Sequence, residues 1–377
     1  MLWDNMSKIG RIIEKFYPLI RNVPRVSGTP LEAVFIEKIA DVYRAMNYDV
    51  DIQRFNFIGW ELSERPRIIE VDSGKEVSAH RVMWSGSTPE AGIEGVIEYR
   101  GRLRPWGLGT GYRVNKYAIV SDDGEDLGYV LEDYAHGSLP SPMHDMPYIS
   151  VSKADLERWM ARDKPVRLHA SVRTRILPGA KTANVIATKK GRKDEEIIVC
   201  AHHDTVLTDW DVIGVVDNGS GVVGVMKVAE KLMNLETEKT IRFISFAAEE
   251  FNMVGSRYYI AMRDEKDELD RMKAVINLDD VYNSSREFFI VAPNGFYKNL
   301  IQKTLDRPEM KGKKFANVRF GDSNATDDWP FRERGIPAML LLQEGPEEFA
   351  GFKDLEETYI PKTAEFVVAL VEEIDSV

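Results

Sequence analysis

The spacing of apolar side chains near the amino end predicts a helix. Apolar residues recur at the interval of one helix face between Val34 and Met46. The preceding segment Thr29-Pro30-Leu31-Glu32 offers an N-cap, a proline at the first helical position and a capping-box glutamate. We therefore predict an early amphipathic helix, followed by a strand from residue 50 to about residue 59.

The pattern changes from about Pro66 to Ile176, where short apolar runs alternate with Gly, Pro, Asp and Ser. Five of these runs have the composition of strands: GVIEY, KYAIV, GYVLE, PYISV and RLHASV. One helix, capped by Ser152, interrupts them. This part of the chain is predicted to be a small β-rich unit.

After Pro178-Gly179 the chain alternates between strand and helix patterns. We predict strands at 184–188, 197–201, 240–247, 274–278 and 338–342, and helices at 220–234, 256–263 and 363–374. Such alternation predicts an α/β fold with a doubly wound, mixed sheet and helices on both faces. The opening helix has no packing partner nearby, so we expect residues 1–65 and 177–377 to form one core. Residues 66–176 would then be an inserted β-rich domain.

Composition and charge narrow the classes of partner and compartment. Across 377 residues, 61 acidic against 50 basic side chains leave a net charge of −11, without a basic run. This balance argues against nucleic acid or an anionic membrane as a partner. The single cysteine, Cys200, cannot form an internal disulfide. Charged residues interrupt the amino-terminal apolar segment, and no apolar run reaches the roughly 20 residues that span a bilayer. We therefore expect a soluble, cytoplasmic protein.

Metal-binding residue types follow three of the predicted strands. His202, His203 and Asp204 follow the predicted strand 197–201. Glu249 and Glu250 follow the strand 240–247, and Asp279 and Asp280 follow the strand 274–278. The carboxyl ends of parallel strands meet at one edge of a sheet, which is where open α/β sheets bind ligands. Asp217 lies in the turn before a predicted helix and can point toward the same edge. These side chains are expected to converge.

One imidazole among several carboxylates suits divalent metals, above all zinc. Asp217 is the natural bridge between two metals, because a carboxylate has two oxygen atoms. Of the neighbours Glu249 and Glu250, one can bind a metal while the other serves as a base. Asp204 can accept the second imidazole proton of His202.

The remaining histidines and the cysteine are expected to have structural roles. A lone His-x-Asp or Glu-Glu pair is usually a capped turn or a solvated surface, so only the combination of motifs indicates a site. We expect His203 to be a structural neighbour of the site and Cys200 to be a buried, inert thiol. The histidines predicted to lie in the β-rich unit as ordinary surface or packing residues are His80, His136, His144 and His169.

Several segments resemble the co-catalytic zinc exopeptidase family, which includes bacterial leucyl aminopeptidases, aminopeptidase Y and glutaminyl cyclases. They are CAHHDT, VVDNGSGVVGVMKVAEKL, IRFISFAAEEFNMVGSRYY, AVINLDDV and TDDWPFRERGIPAMLL, together with PRVSGTPLEAVFIEKI near the amino end. The β-rich region resembles the protease-associated domain that is often inserted in this family. The resemblance implies hydrolysis of an amino-terminal peptide bond, a peptide substrate, and an oligomer as one possible state.

Carried over by motif, His202, Asp217 and Asp279 would bind one zinc ion, and Asp217 and Glu250 would bind a second. Glu249 would take the proton from the attacking water. The resemblance implies one or two zinc ions, with cobalt or manganese as alternatives.

The carboxyl-terminal part departs from the family pattern. Where the family has Tyr-His-Thr-x-x-Asp-Thr, this chain has Phe352-Lys353-Asp354-Leu355-Glu356-Glu357-Thr358. Lys353 thus stands where the family has a histidine ligand of the second zinc. Phe352 stands where the family has a tyrosine, whose hydroxyl resembles an oxyanion donor in the relatives. Three explanations stay open: Asp354 or Glu357 completes the second site, Lys353 supplies a fixed charge paired with Glu250, or catalysis has been lost.

The leading prediction for the function is therefore a metal-dependent aminopeptidase. A related amidohydrolase or deacylase fits less well, since that group has a Gly-Arg-Gly-x-x-Asp pattern at the bridging aspartate and a long lid after Glu-Glu. Here the bridge is DNGSG, and only about thirty residues separate Glu249 from Asp279. A non-catalytic peptide-binding or scaffolding homologue is the alternative from another class, supported by Lys353 and Phe352.

Overall fold

The computed structural model describes residues 10–14, 16–22, 24–104, 113–133, 139, 145–205, 214–281, 289–291, 295–310, 318–319, 325–342 and 360–377. These residues divide into two compact units. The first unit comprises the described residues up to Asn56 and from Lys181 onward, and the second comprises those of Phe57–Ala180. A core of 1–65 and 177–377 with an inserted domain at 66–176 stays a prediction.

The secondary structure follows the predicted elements closely. The strands are β1 (Asp49–Glu70), β2 (Lys75–Val77), β3 (Ala79–Arg81), β4 (Ile93–Leu103), β5 (Val114–Val120), β6 (Asp126–Glu132), β7 (Tyr148–Val151), β8 (Arg167–Lys189), β9 (Lys193–His202), β10 (Lys239–Phe246), β11 (Met272–Leu278), β12 (Phe289–Val291), β13 (Val318–Arg319) and β14 (Ala338–Leu342). The α-helices are Tyr17–Asn22, Pro30–Ala45, Lys153–Met160, Gly221–Leu232, Val254–Asp264, Gly295–Asp306, Asp328–Glu333 and Ile360–Asp375. Short 3₁₀ turns lie at Leu269–Arg271 and Pro308–Met310, and a π-helical turn lies at Val215–Ser220.

The sheet of the first unit is mixed, as predicted. Its strand order is β13-β12-β14-β11-β9-β10-β8. The four strands β14, β11, β9 and β10 are parallel, whereas β8 runs antiparallel to β10 and β12 antiparallel to β14. The four parallel strands therefore end at the same edge, and this edge is where the candidate site forms.

Helices cover both faces of this sheet. Along β9, Ile197 and Val199 belong to one buried cluster, whereas Ile198 and Cys200 belong to another. Successive side chains of a strand point to opposite faces, so the two clusters lie on opposite sides of the sheet. The first cluster includes side chains of helices Pro30–Ala45, Gly221–Leu232, Gly295–Asp306 and Ile360–Asp375, and the second includes those of Val254–Asp264 and Asp328–Glu333. The doubly wound α/β class is confirmed.

The start of helix Pro30–Ala45 shows which part of its predicted cap is correct. The Thr29 side chain accepts a hydrogen bond from the Glu32 amide, and Pro30 occupies the first turn, so the N-cap is confirmed. The prediction that Glu32 completes a capping box is wrong. Its carboxylate accepts instead from the Ser27 hydroxyl and the Gly28 amide, each at 2.7 Å. Glu32 is buried, and these donors satisfy its charge there.

The second unit is rich in strands, and its helix begins where the sequence predicts. Its strand order is β8-β4-β5-β6-β7-β3; β6 and β7 are parallel and the other pairs are antiparallel. Ser152 caps helix Lys153–Met160 by accepting from the Asp155 amide. The sequence predicts a change of pattern at Pro178-Gly179, with separate strands on either side. In the structure, the single strand β8 continues through these two residues. The resemblance to a protease-associated domain stays a prediction.

A buried carboxylate organises the second unit. Glu70 is 1% exposed and accepts hydrogen bonds from the Trp159 indole at 2.9 Å, Arg162 at 2.7 Å, Ser73 at 3.1 Å and also Arg158. Burial acts to raise the pKa of Glu70, but these hydrogen bonds outweigh it and lower the pKa to about 2. The carboxylate is therefore ionised in the folded state at all but strongly acidic pH.

The Glu70→Gln variant is expected to unfold more easily by about 2 kcal/mol at pH 7, because two guanidinium groups lose their anionic acceptor. The wild-type advantage is complete above the unfolded-state pKa near 4.5 and is lost as pH falls from there toward 2. Urea denaturation at pH 7 and pH 3 measures both effects. Glu76→Gln, which breaks an exposed pair with Arg67, is the control and should leave stability nearly unchanged. An equal effect of both substitutions would contradict this role of Glu70.

The structure bears on two features from which the compartment was predicted, the apolar runs and the single cysteine. None of the helices in the described part of the chain combines the length and apolarity that a bilayer crossing needs. Cys200 is a free, buried thiol, as predicted, and burial raises its pKa. The cytoplasmic location stays a prediction.

Two of the histidines predicted to be ordinary surface or packing residues, His136 and His144, lie outside the described residues.

Candidate metal centre

The parallel strands deliver the predicted site residues to one edge. His202 is the last residue of β9 and pairs in register with Phe246, the last residue of β10. Asp279 follows the last residue of β11 directly. Asp217 lies in the π-helical turn Val215–Ser220, ahead of the helix that starts at Gly221. Residues far apart in the sequence thus meet as predicted.

His202 stands at the centre of this group. It is 1% exposed, and its Nε2 atom lies 3.2 Å from Asp217 Oδ1 and 3.3 Å from Asp279 Oδ1. Zinc bonds of about 2.0–2.2 Å in a tetrahedral site place neighbouring ligand atoms about 3.3–3.6 Å apart. Each of the two carboxylate oxygens therefore lies about as far from the imidazole nitrogen as two ligands of one cation lie from each other.

The other imidazole nitrogen contacts Asp204. His202 Nδ1 lies 3.2 Å from the Asp204 carbonyl oxygen and 3.5 Å from its carboxylate, so the main-chain oxygen is the nearer of the two. The buried Asp204 carboxylate accepts hydrogen bonds from the amides of Glu249 at 3.1 Å and Glu250 at 3.3 Å. Asp204 thereby connects the turn after β9 to the turn that carries both glutamates.

The two adjacent glutamates differ in position. Ligand atoms of His202, Asp217 and Glu250 all lie within 4.8 Å of one another. Glu250 Oε1 is buried and has no hydrogen-bond partner within the part of the chain that the structure describes. Glu249 Oε2 lies 3.9 Å from His202 Nε2, but Glu249 is not a member of the group whose ligand atoms all lie within 4.8 Å of one another. Their assignment as ligand and base stays a prediction, and this arrangement is compatible with it.

A second group of potential ligands consists of Asp217, Asp279 and Asp280, again with ligand atoms within 4.8 Å. Asp217 belongs to both groups, which is the arrangement that a bridging carboxylate requires. Sequence reasoning gave Asp280 no role, although its position directly after Asp279 and β11 was the available signal. Its main chain adopts a φ of 51°, which turns the chain sharply at this point.

Asp327 is a further acidic residue that sequence reasoning did not assign. It is fully buried immediately before helix Asp328–Glu333. Burial raises its pKa to about 7; His202 opposes this shift, and Asp279 adds to it. The segment TDDWPF was part of the family resemblance, so the signal was present without a role attached to it.

The pKa values of the site reflect crowded negative charge. Burial raises the pKa of Glu249 and Glu250 well above the usual range, and burial likewise raises that of Asp279. Burial lowers the pKa of His202, but the carboxylates of Asp279 and Glu249 outweigh this and bring it well above its usual value. A divalent cation would relieve the same repulsion. The donor set of imidazole and carboxylates therefore fits such a cation.

The remaining predicted positions lie away from the two groups or cannot be placed. His203 is buried, with Nδ1 3.2 Å from the Ser245 hydroxyl and Nε2 3.4 Å from Glu32, which are contacts of a structural residue. The positions predicted to alter the second site lie outside the described residues: Phe352, Lys353, Asp354 and Glu357.

Comparison with known proteins finds a family model that matches part of the chain. Residues 184–362 match the model of peptidase family M28. This range contains His202, Asp217 and Asp279, and it confirms the resemblance drawn from the sequence. The chain therefore carries a hydrolase segment of peptidase type.

Curated relatives are aminopeptidases by name. Aminopeptidase YwaD of Bacillus subtilis is 25% identical over 358 residues, which cover 86% of this chain and 73% of that protein. Leucine aminopeptidase 2 of Arthroderma otae is 30% identical over 165 residues, covering 42% of this chain but only 32% of the relative. The chain thus matches most of the first relative and about a third of the second.

Solved structures show the same fold. An aminopeptidase from Aneurinibacillus sp. strain AM-1 superposes with a TM-score of 0.70 at 20% identity, over 96% of this chain and 93% of the other. The zinc aminopeptidase BSAP from Bacillus subtilis gives a TM-score of 0.69 at 21% identity, over 96% and 94%. At these identities the likeness supports the fold assignment.

Proposed function

We propose that this protein is a metal-dependent aminopeptidase that removes amino-terminal residues from peptides. The observation that carries the proposal is the position of His202 Nε2, 3.2 Å from Asp217 and 3.3 Å from Asp279, inside a segment that matches peptidase family M28. The aminopeptidase names of the curated relatives support the same reaction class.

Within this proposal, His202, Asp217 and Asp279 would hold one divalent cation, and Asp217 and Glu250 would face a second. Imidazole with carboxylates favours zinc, and manganese or cobalt can occupy similar donor sets. A bound zinc ion would polarise the scissile carbonyl and lower the pKa of a water molecule toward about 7.

Glu249 moves the proton in the proposed reaction. Its carboxylate accepts a proton from the attacking water and later donates it to the nitrogen of the leaving amine. Burial raises the pKa of Glu249 well above that of an exposed carboxyl, so the ionised form that the first step needs would be favoured by the positive charge of a bound cation. Asp204 orients the main chain of Glu249 and Glu250 through their amides, and it holds the His202 ring from the opposite side.

The second cation site is where this chain departs from its family. Lys353 replaces the family's histidine, so the proposed enzyme completes this site with Asp354 or Glu357, uses the Lys353 charge instead, or works with one cation. A non-catalytic peptide-binding protein is the second candidate function, and the observation that favours it is this same pair of replacements, Phe352 and Lys353.

Turnover assays distinguish these functions. We expect hydrolysis of leucine p-nitroanilide and of a dipeptide, loss of activity after dialysis against a chelator, and recovery on adding zinc, manganese or cobalt. The matched control is N-acetyl-leucine p-nitroanilide, which lacks the free amine and should not be hydrolysed. Release of acetate and leucine p-nitroanilide from the blocked substrate, without release of p-nitroaniline from either substrate, would favour a deacylase. Absence of turnover across substrates and metals would favour the binding protein.

A further inference from the structure

A buried arginine lies next to the candidate metal centre. The Arg25 side chain is fully buried, and its guanidinium donates to three main-chain carbonyls of the described residues. Nε donates to His203 O at 2.7 Å, Nη2 donates to Gly214 O at 2.6 Å, and Nη1 donates to Ile20 O at 3.3 Å. The planar fork of a guanidinium can bind several carbonyls at once, which the single ammonium of a lysine cannot reproduce.

Two of these carbonyls belong to segments that carry different proposed ligands. His203 follows His202 directly, and Gly214 is three residues before Asp217. The β9 end and the π-helical turn are separate elements, so strand pairing alone does not fix the distance between these ligands. Arg25 spans this gap with two short hydrogen bonds.

The surroundings of Arg25 hold it in this position. Its amide donates to the Thr205 hydroxyl at 3.0 Å, and its carbonyl accepts from the Thr205 amide at 3.3 Å. The guanidinium lies over the Phe35 ring, 4.8 Å from the ring centroid. Gly214 has a φ of 62°, and a Cβ there would lie 2.1 Å from Thr205 Cγ2 and 3.0 Å from Arg25 Nη2. Only a glycine leaves room for this contact.

The charge of Arg25 and its hydrogen bonds are expected to have opposite effects on the affinity of the site for a cation. Burial lowers its pKa to about 10, while Asp204, Asp217 and Glu250 act to raise it, so the guanidinium is protonated at neutral pH. A positive charge beside carboxylates repels a second cation, whereas a fixed spacing of the ligands favours cation binding. The two effects predict opposite results when Arg25 is replaced.

We propose that Arg25 is a positioning residue of the metal centre. By binding the carbonyls of His203 and Gly214, it holds His202 and Asp217 at the separation at which both reach one cation. This inference rests on the proposed function, and it adds a residue from the amino-terminal segment to the support of the site.

Zinc affinity, measured by competition with a chromogenic chelator, tests this role. Arg25→Lys and Arg25→Met are each expected to weaken zinc binding about tenfold or more, as observed when supporting hydrogen bonds of metal ligands are removed. If electrostatic repulsion dominated instead, Arg25→Lys would bind like the wild type and Arg25→Met more tightly. That result would overturn the proposal. Arg25→Lys retains the charge and most of the volume, so the test stands if Arg25→Met does not fold.

The matched control is Arg263→Met. Arg263 is another buried arginine of the first unit, bound to Glu196 and Glu268 at 2.9 Å each, and it lies at the end of its helix remote from Glu249. This variant should keep wild-type zinc affinity, even if it is less stable. Equal weakening in Arg263→Met would indicate a general loss of stability and contradict a specific role for Arg25.

Hydrogen–deuterium exchange supplies a readout that does not depend on metal. Amides of Val215–Ser220 should exchange faster in both Arg25 variants than in the wild type or in Arg263→Met, because the turn has lost its tether. Unchanged exchange would overturn the proposal. If the wild type binds no divalent cation, the proposed function fails, while the exchange experiment still decides whether Arg25 holds the turn.

Discussion

Replacing Glu249 with glutamine is expected to lower kcat for peptide hydrolysis about a thousandfold while leaving the zinc content unchanged. Glutamine has nearly the same shape, but its amide cannot accept and return the proton. Glu249 lies outside the two groups of ligand atoms, so its charge is not needed to hold the cation. Its amide bond to Asp204 is a main-chain contact and persists in the variant.

Steady-state kinetics together with elemental analysis of the purified variant check this prediction. Glu250→Gln is the informative comparison, because the neighbouring side chain belongs to a ligand group and its replacement should reduce metal binding. A Glu249→Gln enzyme that keeps a tenth of the activity, or that loses its zinc, would show that the roles of the two glutamates are assigned wrongly.

The second large effect is expected from Asp217→Ala, which should abolish both metal binding and turnover. Asp217 is the residue shared by the two groups of ligand atoms, so its loss affects every cation position that these groups define. A ligand that binds only the folded state raises thermal stability. Zinc should therefore raise the Tm of the wild type by several degrees and leave the Tm of the variant unchanged.

Thermal denaturation with and without zinc, paired with elemental analysis, measures this effect. Asp41→Ala is the control, because Asp41 is an exposed aspartate of the first unit whose described contacts are with Arg44 and Lys38. It should keep the full zinc-dependent rise in Tm. A zinc-dependent rise of wild-type size in Asp217→Ala would exclude this aspartate as a metal ligand.

The convergence of His202, Asp217 and Asp279 could be predicted because it follows from local information. Apolar runs define β9, β10 and β11, and parallel strands that alternate with helices end at one edge. The residue after each run is then placed without knowledge of packing. The doubly wound sheet was predictable for the same reason.

Contacts between buried polar groups could not be predicted in this way. Arg25 meets His203 across 178 positions of sequence, and no periodicity connects the two. Glu32 matched a local capping rule, yet burial beside other donors directed its carboxylate to Ser27 and Gly28. Tertiary packing brings Asp327 close enough to His202 and Asp279 for their charges to affect its pKa. For Arg25 and Glu32, the need to satisfy a buried polar group prevailed over the local pattern.

The bonds from Asp204 to two successive amides have a consequence for how this turn can vary. Glu249 and Glu250 are chemically identical, so nothing in their side chains determines which becomes a base and which a ligand. In the proposed assignment, the anchor on their main chain makes that choice, because it holds the two residues at fixed positions in the turn. Inserting or deleting one residue between β10 and this pair would therefore exchange or scramble the two roles, although every catalytic side chain would still be present.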